Sequence, residues 1–206
     1  MAEVNGVLAP TYPIVSERLL LRPFVGSDLA ALAAIQARPE VARYLYWEPR
    51  SEAEAAAAQE RRLPQTRIAA EGDALVLAVV LRDFGTLVGD VVLWWRSAEH
   101  RQGEIGYVFH PDHAGRGYAT EASREVLRLG FAGLGLHRIV ARCDARNGAS
   151  VRVMERLGMR REAHLRENEF VKGEWCDELV YALLAAEWDP TSPLLAPAGE
   201  PSPPST

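Results

Sequence analysis

The chain has 206 residues, 48% of them hydrophobic and 25% charged, with a net charge of −5. That is the make-up of one globular domain able to bury a core, and it excludes collagen-like and largely disordered chains. Cys143 and Cys176 are the only cysteines and lack C-x-x-C spacing, so neither a disulfide framework nor a zinc or other metal site is expected.

In chain order, the opening MAEVNGVLAPTYP lacks the basic start and apolar centre of a secretory signal, and no apolar run approaches a membrane span. A reduced, cytoplasmic setting with no membrane partner is the expectation. Residues 1–15 read as a lead. SERLLLRPF reads as a first strand stopped by Pro23, and SDLAALAAIQARPE as a short helix ending near Pro39. VARYLYWEP is an aromatic-rich link. Ser51-x-x-Glu54 is a capping box that opens a second helix, which Pro64 should break. DALVLAVVLRD and TLVGDVVLWWRS read as two strands joined by a turn at Phe84-Gly85, and GEIGYVFH as a further strand. A helix then runs from about Gly117 to Phe131, followed by the strand HRIVARCD, the helix NGASVRVMERLG and the strands MRREAHLREN and EWCDELVYALL. Hairpins mixed with helices predict an α+β fold with a mixed sheet, not a doubly wound parallel one. The proline-rich stretch 189–206 reads as a disordered tail.

Two features carry chemistry. HPDHAGRGYATEAS places Gly115 and Gly117 at the mouth of a helix with Arg116 between them. Such a turn is either a flexible loop or an anion site built from backbone N–H groups, the helix dipole and an arginine. Residues 137–161 hold Arg138, Arg142, Arg146, Arg152, Arg156, Arg160 and Arg161 against only Asp144 and Glu155. This basic window is either a solvated helix face or a collar for an anionic ligand. It is short and poor in aromatics, which argues against a nucleic-acid partner.

With SERLLLRPF, VARYLYW, LVGDVVL, EIGYVFHPDHAGRGYATEA, NGASVRVMERLGM and KGEWCDELVYALL in this order, residues 16–188 resemble the GNAT superfamily of N-acetyltransferases, and more closely its RimJ/RimL-like branch. The resemblance implies a GNAT-like, mostly antiparallel central sheet of about seven strands. Helices should cover both faces, with a V-shaped splay between the fourth and fifth strands. It implies acetyl-CoA as cosubstrate, no metal, and transfer to an amine: a protein N-terminus or an amine-bearing small molecule. A homodimer is a family-level expectation.

Carried onto this chain, the superfamily signature Q/R-x-x-G-x-G/A falls on Ala114, Gly117 and Ala119, departing at its first position. The resemblance assigns pyrophosphate binding to the N–H groups of Gly115, Gly117, Ala119 and Thr120, in a turn that includes Tyr118, with Arg116 adding charge. Val108 and Phe109 would give main-chain contacts to the pantetheine arm. Asn147 either caps its helix or bonds the pantetheine amide. Where many members place a tyrosine acid this chain has Met154, so Ser150, one turn earlier, is the candidate acid for the departing thiolate. Glu104 is either the general base or an exposed strand-end carboxylate. Tyr44, Tyr46, Trp47, His164, Glu167 and Asn168 are candidates for the acceptor pocket. Two other readings stay open: a non-catalytic acyl-CoA sensor, and a nucleotide-binding α/β protein. The second lacks G-x-x-x-x-G-K-[ST].

Overall fold

The computed structural model describes residues 6–191. Eight strands form one sheet in the order β1-β2-β3-β4-β5-β6-β8-β7. β3 (Ala74–Leu81) is buried at every position, as an unbroken run of Val, Leu and Ala should be when both faces of a strand are covered. Its alternate residues feed two cores. Leu75, Leu77, Val79 and Leu81 join the larger one, and Ala74, Val76, Ala78 and Val80 the smaller. β2 (Leu19–Arg22) and β4 (Leu87–Ser97) flank β3 antiparallel, and the β3–β4 turn uses Gly85 at a φ of 66°.

α4 (Tyr118–Arg128) and α5 (Gly148–Arg156) cover the larger core with Ala122, Val126, Leu127 and Met154. α1 (Leu29–Gln36) covers the smaller with Leu32 and Ile35. α3 (Glu52–Arg62) packs beside α1. The capping box forms as expected: Ser51 Oγ accepts from the Glu54 N–H at 3.4 Å, and the Glu54 carboxylate accepts from the Ser51 N–H at 2.8 Å. β7 (Arg160–Val171) and β8 (Glu174–Leu184) turn at Lys172 and Gly173, both at positive φ (53° and 83°), as a two-residue hairpin requires.

Three details differ from the sequence reading. There are eight strands, because β1 (Ile14–Val15) pairs with β2; two residues are too few to show a period. The first residues are more than a lead: Leu8 bridges Ile68, and Leu8 and Ile14 enter the larger core. Pro39 opens the four-residue helix α2 (Pro39–Ala42) instead of only ending α1, since a proline at the first helical position gives up an N–H that the helix does not use. Of the proline-rich stretch, residues 192–206 lie outside the described residues, while the Pro190 carbonyl accepts from Arg124 Nη2 at 2.7 Å.

The splay falls between β5 (Gln102–Phe109) and β6 (Arg138–Asp144). They pair in parallel only from Gln102–Arg138 to Glu104–Val140. Beyond that point β5 stays with β4 as far as Phe109, and β6 stays with β8 as far as Asp144. The sheet therefore opens between Ile105–Phe109 and Ala141–Asp144.

Candidate active site

The opening leads into a cleft of about 820 Å³ lined by residues from both faces of the sheet. On one face stands the start of α4. Gly115 and Gly117 sit at φ of 76° and 81°, a region that costs an L-residue roughly 1–2 kcal/mol. Glu121 is the first residue of α4 whose N–H is satisfied, by the Gly117 carbonyl at 3.0 Å; among the described residues no acceptor faces the N–H groups of positions 115–120. Thr120 Oγ1 is buried without a partner. Gly115, Gly117, Tyr118, Ala119 and Thr120 all line the cleft, and Arg116 does not. Arg116 is exposed, and its carbonyl accepts from Arg18 Nη1 at 2.9 Å. In the arginine window, Arg138, Arg142, Arg146 and Arg160 are held in ion pairs. Arg152 and Arg156, one turn apart on α5, line the cleft, as Arg142 and Arg146 also do.

The glycine turn is braced from behind. Buried Glu121 accepts from Ser16 Oγ (2.7 Å), the Arg18 N–H (2.8 Å) and Arg18 Nε (2.8 Å), and pairs with Arg18 Nη2 at 2.7 Å. Arg18 in turn lies over the Tyr118 ring. The β1–β2 turn thus fixes the position of the helix mouth.

At the centre of the cleft is the start of α5. Asn147 Oδ1 accepts from the Ser150 N–H at 3.1 Å, so the plain N-cap reading of Asn147 holds, and its side chain also lines the cleft. Ser150 Oγ lies 2.8 Å from Tyr107 Oη, which also stands 3.1 Å from the Ser150 carbonyl. Burial pushes the Tyr107 phenol up, and pushes the neighbouring Cys143 thiol up to about 11, with the Ser150 hydroxyl opposing the shift in both. Sequence reasoning passed over Tyr107 and Cys143. The period-2 rule offered a signal, because it puts Ile105, Tyr107 and Phe109 on the α5 side and Glu104, Gly106 and Val108 on the other. Past Glu104, the edge of β5 that carries Val108 and Phe109 has no pairing to β6.

The opposite face holds Tyr44, Tyr46, Trp47 and Glu104. Glu104 Oε2 accepts from Arg96 Nε at 3.0 Å and lies 4.0 Å from Arg142 Nε. Arg142 also reaches the buried Glu178 at 3.2 Å. Trp47 lies under the Arg50 guanidinium and Tyr44 under that of Arg43. Asp90 is a buried carboxyl pushed up by desolvation against the pull of Arg62, 3.5 Å away. Lys172 donates to the Ala42 carbonyl at 2.7 Å and so ties the β7–β8 turn to α2 across the pocket. His164, Glu167 and Asn168 are not in the lining; His164 bonds Asp177 at 2.7 Å on the surface. The described residues hold no cluster of three or more side chains suited to a metal ion, and no helix long and apolar enough to cross a membrane.

The acetyltransferase (GNAT) domain model matches residues 18–160. The chain belongs to the GNAT family. The uncharacterized N-acetyltransferase YnaD of Bacillus subtilis is 36% identical over 177 residues, 85% of this chain and 99% of YnaD. A GNAT-family acetyltransferase from Bacillus anthracis superposes with a TM-score of 0.76 at 34% identity, covering 84% of this chain and 99% of that one. Spermidine N-acetyltransferase from Vibrio cholerae, solved with CoA and spermine, shares the fold at a TM-score of 0.70 and 24% identity, covering 84% and 98% of the two chains.

This GNAT protein is an acetyl-CoA-dependent acyltransferase. Its unmatched N–H groups and a positive helix end suit a phosphate-bearing ligand. The opened sheet joins the two faces of the cleft.

Proposed function

We propose that the enzyme transfers the acetyl group of acetyl-CoA to a primary amine, either a protein N-terminal α-amine or a small-molecule amine, by direct attack in a ternary complex. The observation that carries this reading is the gap between β5 and β6. Donor groups stand on one side of it, and a pocket of aromatic and acidic residues on the other. Two substrates entering from opposite faces meet where the strands part, and no covalent enzyme intermediate is needed.

Gly115, Gly117, Tyr118, Ala119 and Thr120 hold the pyrophosphate by their N–H groups, with Arg152 and Arg156 as cleft-facing charge and Arg116 as a remote one. Each charge-assisted hydrogen bond is worth about 1.5–3 kcal/mol. Val108 and Phe109 offer main-chain bonds to the pantetheine arm, next to Asn147. Ser150 is the proton donor to the departing sulfur. Glu104 takes the proton of the amine, through Oε1, which has no partner among the described residues. Tyr44 and Trp47 wall the acceptor site. A free α-amine with a pKa near 8 is roughly one-tenth neutral at pH 7, so the base is an accelerant for that acceptor. It matters far more for an amine of higher pKa.

The acceptor class draws support from two partial relatives. Spermidine N(1)-acetyltransferase of V. cholerae is 32% identical over 91 residues, and a candidate ribosomal N-acetyltransferase, YdaF of B. subtilis, is 32% identical over 105. The second supports a RimJ/RimL-like placement, and with that placement go a protein N-terminus as partner, a cytoplasmic enzyme and a homodimer as parts of the same proposal. The test is calorimetric titration with acetyl-CoA beside a free-thiol release assay over small amines and N-terminal peptides. Binding with release that depends on one amine class establishes the reaction and names the acceptor. Binding without release from any amine favours the acyl-CoA sensor, and no binding overturns the site.

A further inference from the structure

The Ser150 hydroxyl can serve a leaving thiolate only if its own proton points into the cleft, and its neighbours decide that. Tyr107 Oη stands 2.8 Å from Ser150 Oγ and 3.1 Å from the Ser150 carbonyl. A phenol has one proton, so two arrangements compete. In one, Tyr107 donates to the carbonyl and Ser150 spends its proton on the phenol oxygen. In the other, Tyr107 donates to Ser150 Oγ and the serine proton is free. We propose that Tyr107 is a positioning residue for acetyl transfer: it donates its hydrogen bond to Ser150 Oγ and thereby turns the serine proton toward the sulfur of the thioester. This inference rests on Ser150 as the donor to that sulfur.

Three observations support the assignment. Tyr107 lies on β5, the strand whose free edge forms one wall of the gap, while Ser150 lies on α5 across from it. Tyr107 and Ser150 both line the cleft. The contact to Ser150 Oγ, 2.8 Å, is shorter than the 3.1 Å contact to the carbonyl, and burial disfavours the phenolate, so Tyr107 keeps a proton to donate to it. The step balances without ionising it. The attacking nitrogen forms the C–N bond and loses one proton, and the C–S bond breaks with its electron pair going to sulfur. Glu104 takes the proton the amine releases, Ser150 passes its own proton to the sulfur, and Ser150 regains one from solvent as Glu104 gives its proton up.

The test compares Tyr107→Phe, Ser150→Ala and the double variant, each checked for fold by melting and for acetyl-CoA affinity by titration. Phenylalanine keeps the ring and removes only the hydroxyl. Y107F is expected to lower kcat about ten- to hundred-fold, within the range that a positioned proton donor supplies, with the KM for acetyl-CoA unmoved. In the S150A background the same change is expected to do nothing further to kcat. An unchanged kcat in Y107F, or the same loss with and without Ser150, overturns the proposal while leaving Ser150 as the donor. A wild-type rate in S150A removes Ser150 itself and the proposal with it. Should Y107F not hold its fold, 3-fluorotyrosine at position 107 keeps the shape and acidifies the phenol. It is then expected to shift kcat without shifting KM, and an unchanged kcat counts against the role.

Discussion

Gly117 shows how much of this site is backbone. Its φ is 81°, and an added Cβ would stand 3.4 Å from Arg18 Nη2. A branched side chain would add left-handed strain and place methyl groups over the N–H groups of the helix mouth. Gly117→Val is expected to weaken acetyl-CoA binding by about tenfold or more, the equivalent of at least one such hydrogen bond, in a protein that still melts cooperatively. Unchanged affinity by calorimetry would remove the turn from the cofactor site. Glu104→Gln tests the base. The fraction of neutral amine falls with pH, so the loss of kcat is expected to be largest near about pH 6.5 and to shrink above about pH 9. An equal loss at every pH would instead assign Glu104 to holding Arg96 and Arg142. The places of Gly115, Gly117 and Ser150 in the cleft were legible because each residue type suits a turn or a first helical turn. The contact of Tyr107 with Ser150 was not, since it depends on a helix that follows more than forty residues later. Arg116 was legible as a charge but not in its direction: it is exposed outside the cleft, and its carbonyl accepts from Arg18.

Elements formed where local signals agreed: the capping box of α3, the β3–β4 hairpin, the doubly buried β3 and the cap of α5 all appear as the sequence dictates. The point at which β5 and β6 part was not local. It follows from β6 pairing with β8 to its last residue while β5 keeps to β4, a competition that no single strand encodes. The brace between the β1–β2 turn and α4 is of the same kind. Glu121 collects Ser16 and Arg18 from that turn, and removing its carboxylate strands donors that are partly buried. Glu121→Ala is expected to cost about 1–3 kcal/mol, or about 2–4 °C of melting temperature for each kcal/mol in a domain of this size. It is also expected to weaken acetyl-CoA binding, because Arg18 fixes the turn as well. Glu125, paired with Arg128 on the surface of the same helix at 2.9 Å, is the control. Glu125→Ala is expected to move stability by about 0–1 kcal/mol and affinity not at all. Equal effects from the two changes, in melting and in titration, would mean that the brace does not set the helix mouth.

For the whole molecule, the charge pattern makes the response to alkali unusually clean. Lys172 is the only lysine, and the rest of the 23 basic side chains are arginines, which stay charged until about pH 12 or above. Between about pH 9 and 12 the titrating side chains are therefore mainly thiols and phenols. The structure raises several of them: burial takes the Cys143 thiol to about 11 and the Tyr12 phenol to about 12, and moves Tyr107 in the same direction. A raised pKa means that the folded state binds more protons than the unfolded chain, so stability falls as pH rises. The contribution of these groups is fully present below their unfolded values, about 8.5 for a thiol and about 10 for a phenol. It is lost as pH climbs through about 11 and about 12. The melting temperature is therefore expected to hold level between about pH 7.5 and about pH 8.5 and then to fall steadily. Tyr12 donates to the Thr66 carbonyl at 2.6 Å, and Tyr12→Phe removes one of the titrating groups. That variant is expected to start from a lower melting temperature at pH 8 and to lose less of it by pH 11. A parallel decline in the two proteins would show that Tyr12 does not drive the alkaline transition.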